Sequence, residues 1–300
     1  MKKIIIITGL TASGKSELAI NIAKEYNGAI ISADSVQIYK GLDIGSAKES
    51  ILIRKSIPHY LIDIKDFNES YDVGQFLQDC ANAIEDAISK GYIPIIVGGT
   101  GLYIKALIEG YSLGNIKSNS EFREKYQKLA IEKGNEYVWN ELYKINPEKA
   151  KSVHPNNLKR IIRYLELENS NQSDKNIVRN KSILAQYDAL KLAIVENREQ
   201  LYDKINKRVD KMIENGLLDE VKGLINQGAT RNMHSMNSIG YKEWFDYFDG
   251  MQDLNSTISL IKQHSRNYCK RQLTFLKTID GLKFCSISEA KETIKEFMDD

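Results

Sequence analysis

The sequence predicts an α/β fold, with a parallel sheet flanked by helices as its core and a mainly helical insertion domain beside it. Three observations favour this class. Through the first hundred residues, short apolar runs alternate with amphipathic stretches, as in parallel sheets covered by helices on both faces. A glycine-rich motif joins the first apolar run to the first helix. From about residue 116 the pattern is helical only, until one more strand-like apolar run occurs near residue 190.

The N-terminal elements follow from this alternation. Strands are predicted at 4–8, 29–33 and 93–97, and helices at 15–26 and 73–90. In parallel sheets, ligands bind at the carboxyl ends of the strands. Polar clusters follow all three strands, at 9–16, 34–37 and 98–100. We therefore expect these clusters to form one site.

The middle of the chain predicts the insertion. Helices are expected at 120–133 and 136–145, and residues 154–157 cap a third helix on which Lys159 and Arg163 share a face. Residues 169–176 are polar and are predicted to form a mobile loop. The domain boundaries are therefore set at 115–185 for the insertion, with 1–114 and 186–300 as the core.

The last third is predicted to be mainly helical after a strand at 190–195. Helices are expected at 198–215, 217–226 and 258–277. The third would bury one stripe, made of Ile258, Ile261, Tyr268, Gln272 and Leu276. A second stripe is basic, with Lys262, Arg266 and Lys270. Such a stripe suits a phosphate-rich ligand, or it is a solvated helix face; the sequence leaves both open.

Composition sets the outer limits. The chain has 300 residues, 42% of them apolar, and a net charge of +2. No apolar stretch approaches the roughly 20 residues that span a bilayer, and the N-terminus has no cleavage signal, so a soluble, cytoplasmic protein without membrane contact is expected. Cys80, Cys269 and Cys285 are too widely spaced for a disulfide framework or a zinc site, and are predicted to be reduced and mostly buried.

The glycine-rich motif carries the strongest chemical signal. Its residues are Gly9, Leu10, Thr11, Ala12, Ser13, Gly14, Lys15 and Ser16, a full match to the phosphate-binding P-loop pattern. Backbone N–H groups, the Lys15 ammonium and the start of a helix would bind the phosphates, and the Ser16 hydroxyl would bind Mg²⁺. The motif predicts a diphosphate or nucleotide site, ATP included, but does not identify what the phosphates carry.

Asp34 is a candidate reaction residue at the end of the second strand. Its carboxylate could bind Mg²⁺ directly or from the second shell, act as a general base toward an acceptor opposite the phosphates, or be only a helix cap or a surface aspartate. The neighbouring Ser35 and Gln37 favour an acceptor site, because hydroxyl and amide groups can read the edge of a base. Thr100 could reach the reacting centre from the third strand, and Arg208 could stabilise leaving phosphates. His59 and His154 are interpreted as structural.

Together, these clusters resemble the tRNA dimethylallyltransferases, the isopentenyl transferases that modify the adenosine 3′-adjacent to the anticodon. The matching segments occur in the family's order and cover nearly the whole chain: 9–16, 34–39, 43–48, 58–63, 97–103, 154–156 with Arg160 and Arg163, 239–243 and 270–272. Departures are small; Leu10 replaces a usual proline, Ser46 a frequent threonine, Ser265 a common threonine and Phe275 a usual tryptophan.

The resemblance implies a reaction and its residues. A dimethylallyl group would pass from dimethylallyl diphosphate to N6 of adenosine 37, in tRNAs that read codons starting with U. Asp34 would be the general base, Thr100 a residue of the reaction centre and Arg208 the diphosphate ligand, with Mg²⁺ as cofactor. The implied contacts to the tRNA anticodon stem-loop are Asp34, Ser35, Val36, Gln37, Thr100, Arg123, Lys159, Arg160, Ile161, Ile162, Arg163, Lys270 and Arg271. A monomer is expected.

Three other functions remain as alternatives at this point. The phosphate loop alone allows a small-molecule kinase, although that leaves the insertion and the basic helix without a role. A non-catalytic RNA-binding protein would bind RNA without forming product. An adenylate isopentenyltransferase shares the chemistry but has less need of an RNA-binding insertion.

Overall fold

The chain separates into two compact units. One comprises residues 1–110 and 181–300, and the other residues 111–180. The computed structural model describes residues 1–110, 119–169 and 182–300. The change of pattern near residue 116 and positions 170–176 of the predicted mobile loop therefore lie outside the described residues.

The first unit contains all the described strands and most of the helices. The strands are β1 (Lys3–Gly9), β2 (Gly28–Ser32), β3 (His59–Tyr60), β4 (Ile93–Gly98), β5 (Asp188–Ile194) and β6 (Lys283–Cys285). The helices before the second unit are α1 (Lys15–Glu25), α2 (Ile51–Ser56), α3 (Val73–Ser89) and α4 (Gly101–Glu109). Those after it are α9 (Arg198–Glu214), α10 (Leu217–Asn226), α11 (Trp244–Phe248), α12 (Leu254–Leu276) and α13 (Ile287–Asp299).

The six described strands form one parallel sheet in the order β3-β2-β4-β1-β5-β6. The predicted α/β class is thereby confirmed. Because β4 pairs with both β1 and β2, the ends of these three strands are neighbours in the sheet. The three polar clusters predicted to share a site therefore start from adjacent strands.

Alternate side chains of β1 enter two different hydrophobic cores. Ile4 and Ile6 belong to the core on one face of the sheet, whereas Ile5 and Ile7 belong to the core on the other. All four are fully buried. This explains why the strand is apolar at four consecutive positions, as is typical of a strand covered on both faces.

The second unit is a small helical cluster with its own core. It consists of α5 (Ser120–Lys133), α6 (Asn135–Ile145), α7 (Pro147–Lys151) and α8 (Leu158–Asn169). Val138, Leu142 and Leu165 are buried between these helices. The indole Nε1 of Trp139 donates to the carbonyl oxygens of Ala150 (2.8 Å) and Val153 (3.0 Å), which closes the turn after α7.

The structure differs from the sequence prediction in one long helix. Helix α12 begins at Leu254 and not at residue 258, because the Asp253 carboxylate caps it by accepting a hydrogen bond from the Ser256 N–H at 2.9 Å. Its buried stripe is completed by Thr257 and Cys269 where Ile258 and Tyr268 were predicted. All three cysteines are free and buried, as expected. Within the described residues, no helix is both long and apolar enough to cross a membrane.

Candidate active site

The ends of β1, β2 and β4 open into one cavity of about 390 Å³. Its wall combines glycine-loop, acidic and basic residues from six elements and the loops between them. Thr11, Ala12, Gly14, Lys15 and Ser16 line it from the glycine loop 9–16, and Asp34, Gln37, Gly98, Gly99 and Arg208 line it from elsewhere. The predicted convergence of the three polar clusters thus occurs.

The glycine loop takes its shape from close backbone packing. A Cβ atom on Gly9 would lie 2.5 Å from the Ile194 carbonyl oxygen of β5, so only glycine fits there. Gly14 has a φ of 80° and leads directly into α1. The first N–H groups of α1, from Lys15 onward, have no intrahelical acceptor. Together with the positive end of the helix dipole, they lie at the cavity. This arrangement suits an anion.

Leu10 does not have the role predicted for it. Its side chain is 3% exposed within the core, and its N–H donates to the Ile194 carbonyl oxygen at 3.3 Å. Leu10 therefore has no free donor to offer an anion. The Ser13 hydroxyl is also buried, and no hydrogen-bond partner is found for it among the described residues.

Lys15 is a cation in an unfavourable place. Its Nζ donates to the Leu10 carbonyl oxygen at 3.1 Å. Burial, and then the nearby charge of Arg208, lower the pKa of Lys15 to about 8, while the charge of Asp34 opposes them. An anion in the cavity would restore the ordinary pKa of this ammonium.

Arg208 approaches the same loop from α9. Its Nη1 donates to the Thr11 hydroxyl at 3.4 Å. Burial lowers the pKa of Arg208, and the charges of Asp34 and Glu49 oppose that shift. The sequence prediction of an arginine beside the phosphate loop therefore corresponds to an observed contact, and two cations flank the space in front of the loop.

The Asp34 carboxylate both closes a turn and lines the cavity. Its Oδ1 accepts hydrogen bonds from the N–H groups of Val36 (2.8 Å) and Gln37 (3.4 Å), which closes the turn after β2. No partner for Oδ2 is found within the described ranges. One oxygen therefore shapes the backbone, and the other stays available at the cavity.

Thr100 lies beside the cavity and is not one of the residues that line it. Its Oγ1 accepts from the Ser35 N–H at 3.0 Å and donates to the Ser35 hydroxyl at 3.3 Å. Its observed contacts thus support the turn that carries Asp34. The same turn is pressed against β4, because a Cβ on Gly98 would lie 2.1 Å from the Ala33 carbonyl oxygen.

Gln37 lines the cavity with an amide group that is already engaged. Its Oε1 accepts from the Ser32 hydroxyl at 2.9 Å, and its Nε2 donates to the carbonyl oxygens of Ser46 and Ala47, both at 3.4 Å. Gln37 therefore joins β2 to the segment 46–49.

The structure reveals Gln272 as a site residue that the sequence reasoning assigned only to packing. Its Oε1 accepts from the Thr11 N–H and its Nε2 donates to the Gly99 carbonyl oxygen, both at 2.9 Å. The side chain is only 5% exposed. It thus clamps the glycine loop to the end of β4. A glutamine within an otherwise apolar stripe was the signal that could have found it.

Glu49 and His59 also line the cavity and were not predicted to. Burial raises the pKa of the Glu49 carboxyl, against the influence of Arg208. His59 Nδ1 lies 2.7 Å from the Ile57 carbonyl oxygen, and burial lowers the pKa of its imidazole. Its bond to Ile57 agrees with the structural interpretation.

The predicted basic stripe on α12 is partly neutralised by α9. Lys262 forms an ion pair with Asp210 at 2.5 Å, and Arg266 donates to the Asn206 amide oxygen at 2.6 Å. Lys270 and the adjacent Arg271 remain exposed. Only Lys262 of the stripe is paired with a carboxylate of α9, and the exposed basic residues of the helix lie at its C-terminal end.

Two arginines predicted to contact tRNA share one buried carboxylate in the second unit. Arg123 forms a bidentate pair with Glu166, at 3.1 and 2.8 Å, and Arg163 reaches the same carboxylate at 2.6 Å. These hydrogen bonds outweigh burial and lower the pKa of Glu166. Arg160 donates to the Tyr164 hydroxyl at 2.9 Å, and Lys159 is exposed.

Ile161 and Ile162 correct another prediction. Their side chains are 0% and 3% exposed in the core of the second unit. Neither side chain can contact an RNA. They fall between basic residues because α8 turns its apolar face inward at these two positions.

Comparison with known proteins gives consistent results. The profile of the IPP transferase family matches residues 37–279, and that of the isopentenyl transferases matches residues 2–57. A tRNA dimethylallyltransferase of Bacillus cereus strain B4264 is 41% identical over 295 residues, which cover 97% of this chain and 92% of the relative.

Solved structures agree with these matches. The full-length tRNA isopentenylpyrophosphate transferase of Bacillus halodurans is 36% identical, with a TM-score of 0.72 over 100% of this chain and 96% of that one. A eukaryotic dimethylallyltransferase, solved acting on tRNA, is 30% identical, with a TM-score of 0.74 over 95% of this chain and 74% of that one.

Proposed function

Since this chain belongs to the IPP transferase family, we propose that it transfers a dimethylallyl group from dimethylallyl diphosphate to N6 of adenosine 37 in tRNAs that read codons starting with U. The chain is a tRNA prenyltransferase. The family resemblance inferred from its motifs is confirmed. The donor, the target atom and the roles of individual residues are the parts we propose.

One observation supports the proposed chemistry above the others. Lys15 and Arg208 lie beside the glycine loop, and Asp34 lines the same cavity with one oxygen, Oδ2, for which no partner is found within the described residues. A site that holds cations beside the glycine loop together with a carboxylate suits a reaction in which an anion leaves while a proton is taken up.

Asp34 would act on the acceptor. The N6 nitrogen of adenine is a weak nucleophile, because its lone pair is delocalised into the ring. As N6 bonds to the allylic carbon it must lose a proton, and the Asp34 Oδ2 accepts it. Meanwhile Oδ1 keeps its bonds to the backbone, so the carboxylate does not need to reorient during the reaction.

The glycine loop would act on the leaving group. The bond from the allylic carbon to the diphosphate oxygen breaks, and negative charge builds up on the diphosphate. The N–H groups at the start of α1, the Lys15 ammonium and the Arg208 guanidinium stabilise that charge. Gln272 contributes indirectly, since it holds the Thr11 amide in place.

The residues present fit Mg²⁺ that arrives with the diphosphate. Ser16 lies on the cavity wall in the first turn of α1. Within the described residues, no three acidic, histidine or cysteine side chains converge on a point that could hold an ion. Mg²⁺ commonly takes few protein ligands and completes its shell with phosphate oxygens and water. We propose Ser16 as its protein ligand; bound there, the ion would neutralise part of the diphosphate charge.

Recognition of tRNA is proposed for the basic residues of the second unit and for Lys270 and Arg271. The target base must leave its stack to reach the cavity, at a cost of a few kcal/mol that contacts to the RNA backbone offset. We further propose that the protein works as a monomer in the cytoplasm, where its substrate tRNAs are found.

A product assay tests the proposal directly. The protein is incubated with dimethylallyl diphosphate, Mg²⁺ and an unmodified tRNA, and the digested nucleosides are analysed by mass spectrometry. We expect dimethylallyladenosine from the tRNA, and none from a tRNA with guanosine at position 37. Product formed on AMP but not on tRNA would favour the free-nucleotide reaction, and a phosphorylated metabolite formed from ATP would favour a kinase; either result would overturn the proposal.

A further inference from the structure

Glu220 of α10, which lies outside the matched sequence segments, binds a loop within one of them. Its Oε2 accepts hydrogen bonds from the N–H groups of Asp43 (3.0 Å) and Ile44 (2.7 Å). Its Oε1 accepts from the Gly45 N–H (3.2 Å) and the Tyr241 hydroxyl (2.7 Å). We call this arrangement of one carboxylate and four donors the Glu220 clamp.

The local sequence is built for this clamp. Three consecutive N–H groups pointing at one spot form an anion-binding concavity, which here binds a side-chain carboxylate. A Cβ on Gly45 would lie 2.6 Å from the ring of Tyr241, so only glycine lets the backbone come this close. Tyr241 is itself fully buried, and the ring therefore cannot move aside.

The clamped loop continues into the wall of the cavity. Ser46, Ala47 and Glu49 follow it directly and line the site. The carbonyl oxygens of Ser46 and Ala47 accept from the Gln37 amide, and the Gln37 N–H in turn donates to the Asp34 Oδ1. A continuous chain of contacts therefore leads from Glu220 to the proposed base.

Lys48 holds the far side of the same loop. Its Nζ donates to the Tyr39 carbonyl oxygen (2.5 Å) and to the carboxylates of Asp43 and Asp63 (both 2.6 Å). The Lys48 side chain is only 1% exposed. The segment is thus fixed from α10 on one side and by Lys48 on the other, and loss of the Glu220 contacts would free only the first.

We propose that Glu220 is a positioning residue of the prenyl-transfer site, which sets the cavity wall at 46–49 and, through Gln37, the orientation of Asp34. This inference rests on the proposed function of that site. A displacement of about 1 Å in a reacting group can cost roughly a hundredfold in rate, so a positioning carboxylate is expected to affect turnover without touching substrate.

The test compares Glu220→Gln with Asp219→Asn, an exposed neighbour on the same helix. Glutamine keeps the shape of the side chain but presents an NH₂ group where the carboxylate accepts two bonds. We expect kcat for prenyl transfer to fall at least tenfold (roughly 10 to 100), with the KM for tRNA changed less than about twofold. Hydrogen exchange at the amides of 43–45 should accelerate. Asp219→Asn should leave all three quantities as in the wild type.

Other outcomes would overturn the inference. Unchanged kcat in a folded Glu220→Gln protein would do so, as would unchanged exchange at 43–45. Should that variant not fold, Tyr241→Phe removes one donor and leaves the other three; we then expect faster exchange at 43–45 and a smaller fall in kcat, and the absence of both would also overturn it. If wild-type protein makes no prenylated tRNA, the proposed function fails, whereas the exchange measurement still reports on the clamp.

Discussion

At the scale of single residues, the cavity contains two cations, Lys15 and Arg208, whose charged forms are disfavoured by burial. Their mutual repulsion adds to that cost. The rest of the fold holds the two cations in place despite this electrostatic cost, and the binding of an anion lowers the cost. A binding site that is destabilising while empty is a familiar trade of stability for function.

Replacement of Lys15 by methionine should therefore stabilise the ligand-free protein. The pKa of Lys15 is about 8 in the folded state and 10.5 when unperturbed, so the unfolded state binds more protons between these values. The resulting penalty is complete below pH 8 and is lost as the pH rises toward 10.5. At pH 7 the variant should gain up to about 3 kcal/mol in the free energy of unfolding, and about half of that at pH 9.5.

Urea denaturation at the two pH values measures this difference. Lys295→Met, at an exposed position of α13, is the matched control and should change little. A Lys15→Met protein less stable than the wild type at pH 7 would show that the charge of Lys15 is not unfavourable in the empty site.

The same pKa predicts how donor binding depends on pH. Only protonated Lys15 attracts the diphosphate, and binding raises its pKa. Above pH 8 the complex must therefore take up a proton, and affinity should fall by as much as about tenfold per pH unit. Calorimetry with a non-reacting prenyl diphosphate analogue would detect both effects. In Lys15→Met the affinity for the analogue should be weak and should not depend on pH. A wild-type affinity that does not change between pH 8 and 9.5 would contradict the role of Lys15 in binding the diphosphate.

Asp34→Asn tests the proposed base with little change in shape. The amide oxygen can still accept from the Val36 N–H and close the turn, but the side chain can no longer take a proton. We expect kcat to fall by roughly 10² to 10⁴ and the Kd for tRNA to stay within about twofold. Asp34→Ala should also nearly abolish transfer, with the turn lost in addition. Normal turnover in Asp34→Asn would exclude the role of general base.

Residues such as Asp34 and Lys15 could be predicted because their positions next to strand ends are local features of the sequence. Gln272 and Glu220 could not, since their partners lie 261 and about 176 positions away along the chain. Leu10, Ile161 and Ile162 were assigned wrongly for a related reason. A motif or a matched segment identifies a stretch of residues, but only the packing of the folded chain shows which side chains of that stretch are buried and so cannot bind a ligand.

At the scale of elements, α12 joins two of the three strand ends that form the site, those of β1 and β4. Gln272→Leu should leave the Thr11 N–H and the Gly99 carbonyl oxygen without their partner. We expect a loss of about 1 to 3 kcal/mol in the free energy of unfolding and a KM for the prenyl donor raised about tenfold. Gln263→Leu, exposed on the same helix, is the control for added apolar surface. An unchanged donor KM in a folded Gln272→Leu protein would limit Gln272 to a packing role.

Most elements were predictable because they are long and periodic. Strands β1, β2, β4 and β5 and helices α1, α3, α5 and α6 lie within two residues of their predicted bounds. Strands β3 and β6, of two and three residues, are too short to show a period. The start of α12 was missed because Asn255, Ser256 and Thr257 read as a polar loop until the cap by Asp253 is seen.

At the scale of the whole molecule, the proposed RNA contacts are distributed over both compact units. Binding to tRNA should therefore weaken steeply with salt. Lys159→Ala should lower the slope of log Kd against log salt by roughly one, the contribution of a single phosphate contact, because Lys159 is exposed. Arg163→Ala should do the same but also disturb the pairing at Glu166, so its effect on stability must be measured in parallel. Lys295→Ala should leave the slope unchanged. An affinity for tRNA that does not depend on salt would contradict the proposed recognition of tRNA by basic residues.

The α/β class followed from composition and periodicity, because alternation over a hundred residues is a property of the whole chain. The strand order did not follow from them. The neighbour relations of β4 with both β1 and β2 are set by tertiary packing, and they bring the motifs together. The role of the second unit in binding RNA stays a prediction.

The bond between Thr11 and Gln272 has a consequence for biosynthesis. It joins positions 261 residues apart, so the glycine loop cannot reach its final form until residue 272 has left the ribosome. Strand β5, which packs against Gly9, is also made late. Since nascent domains fold as units, the growing chain would sequester neither prenyl donor nor tRNA before residue 272 has emerged.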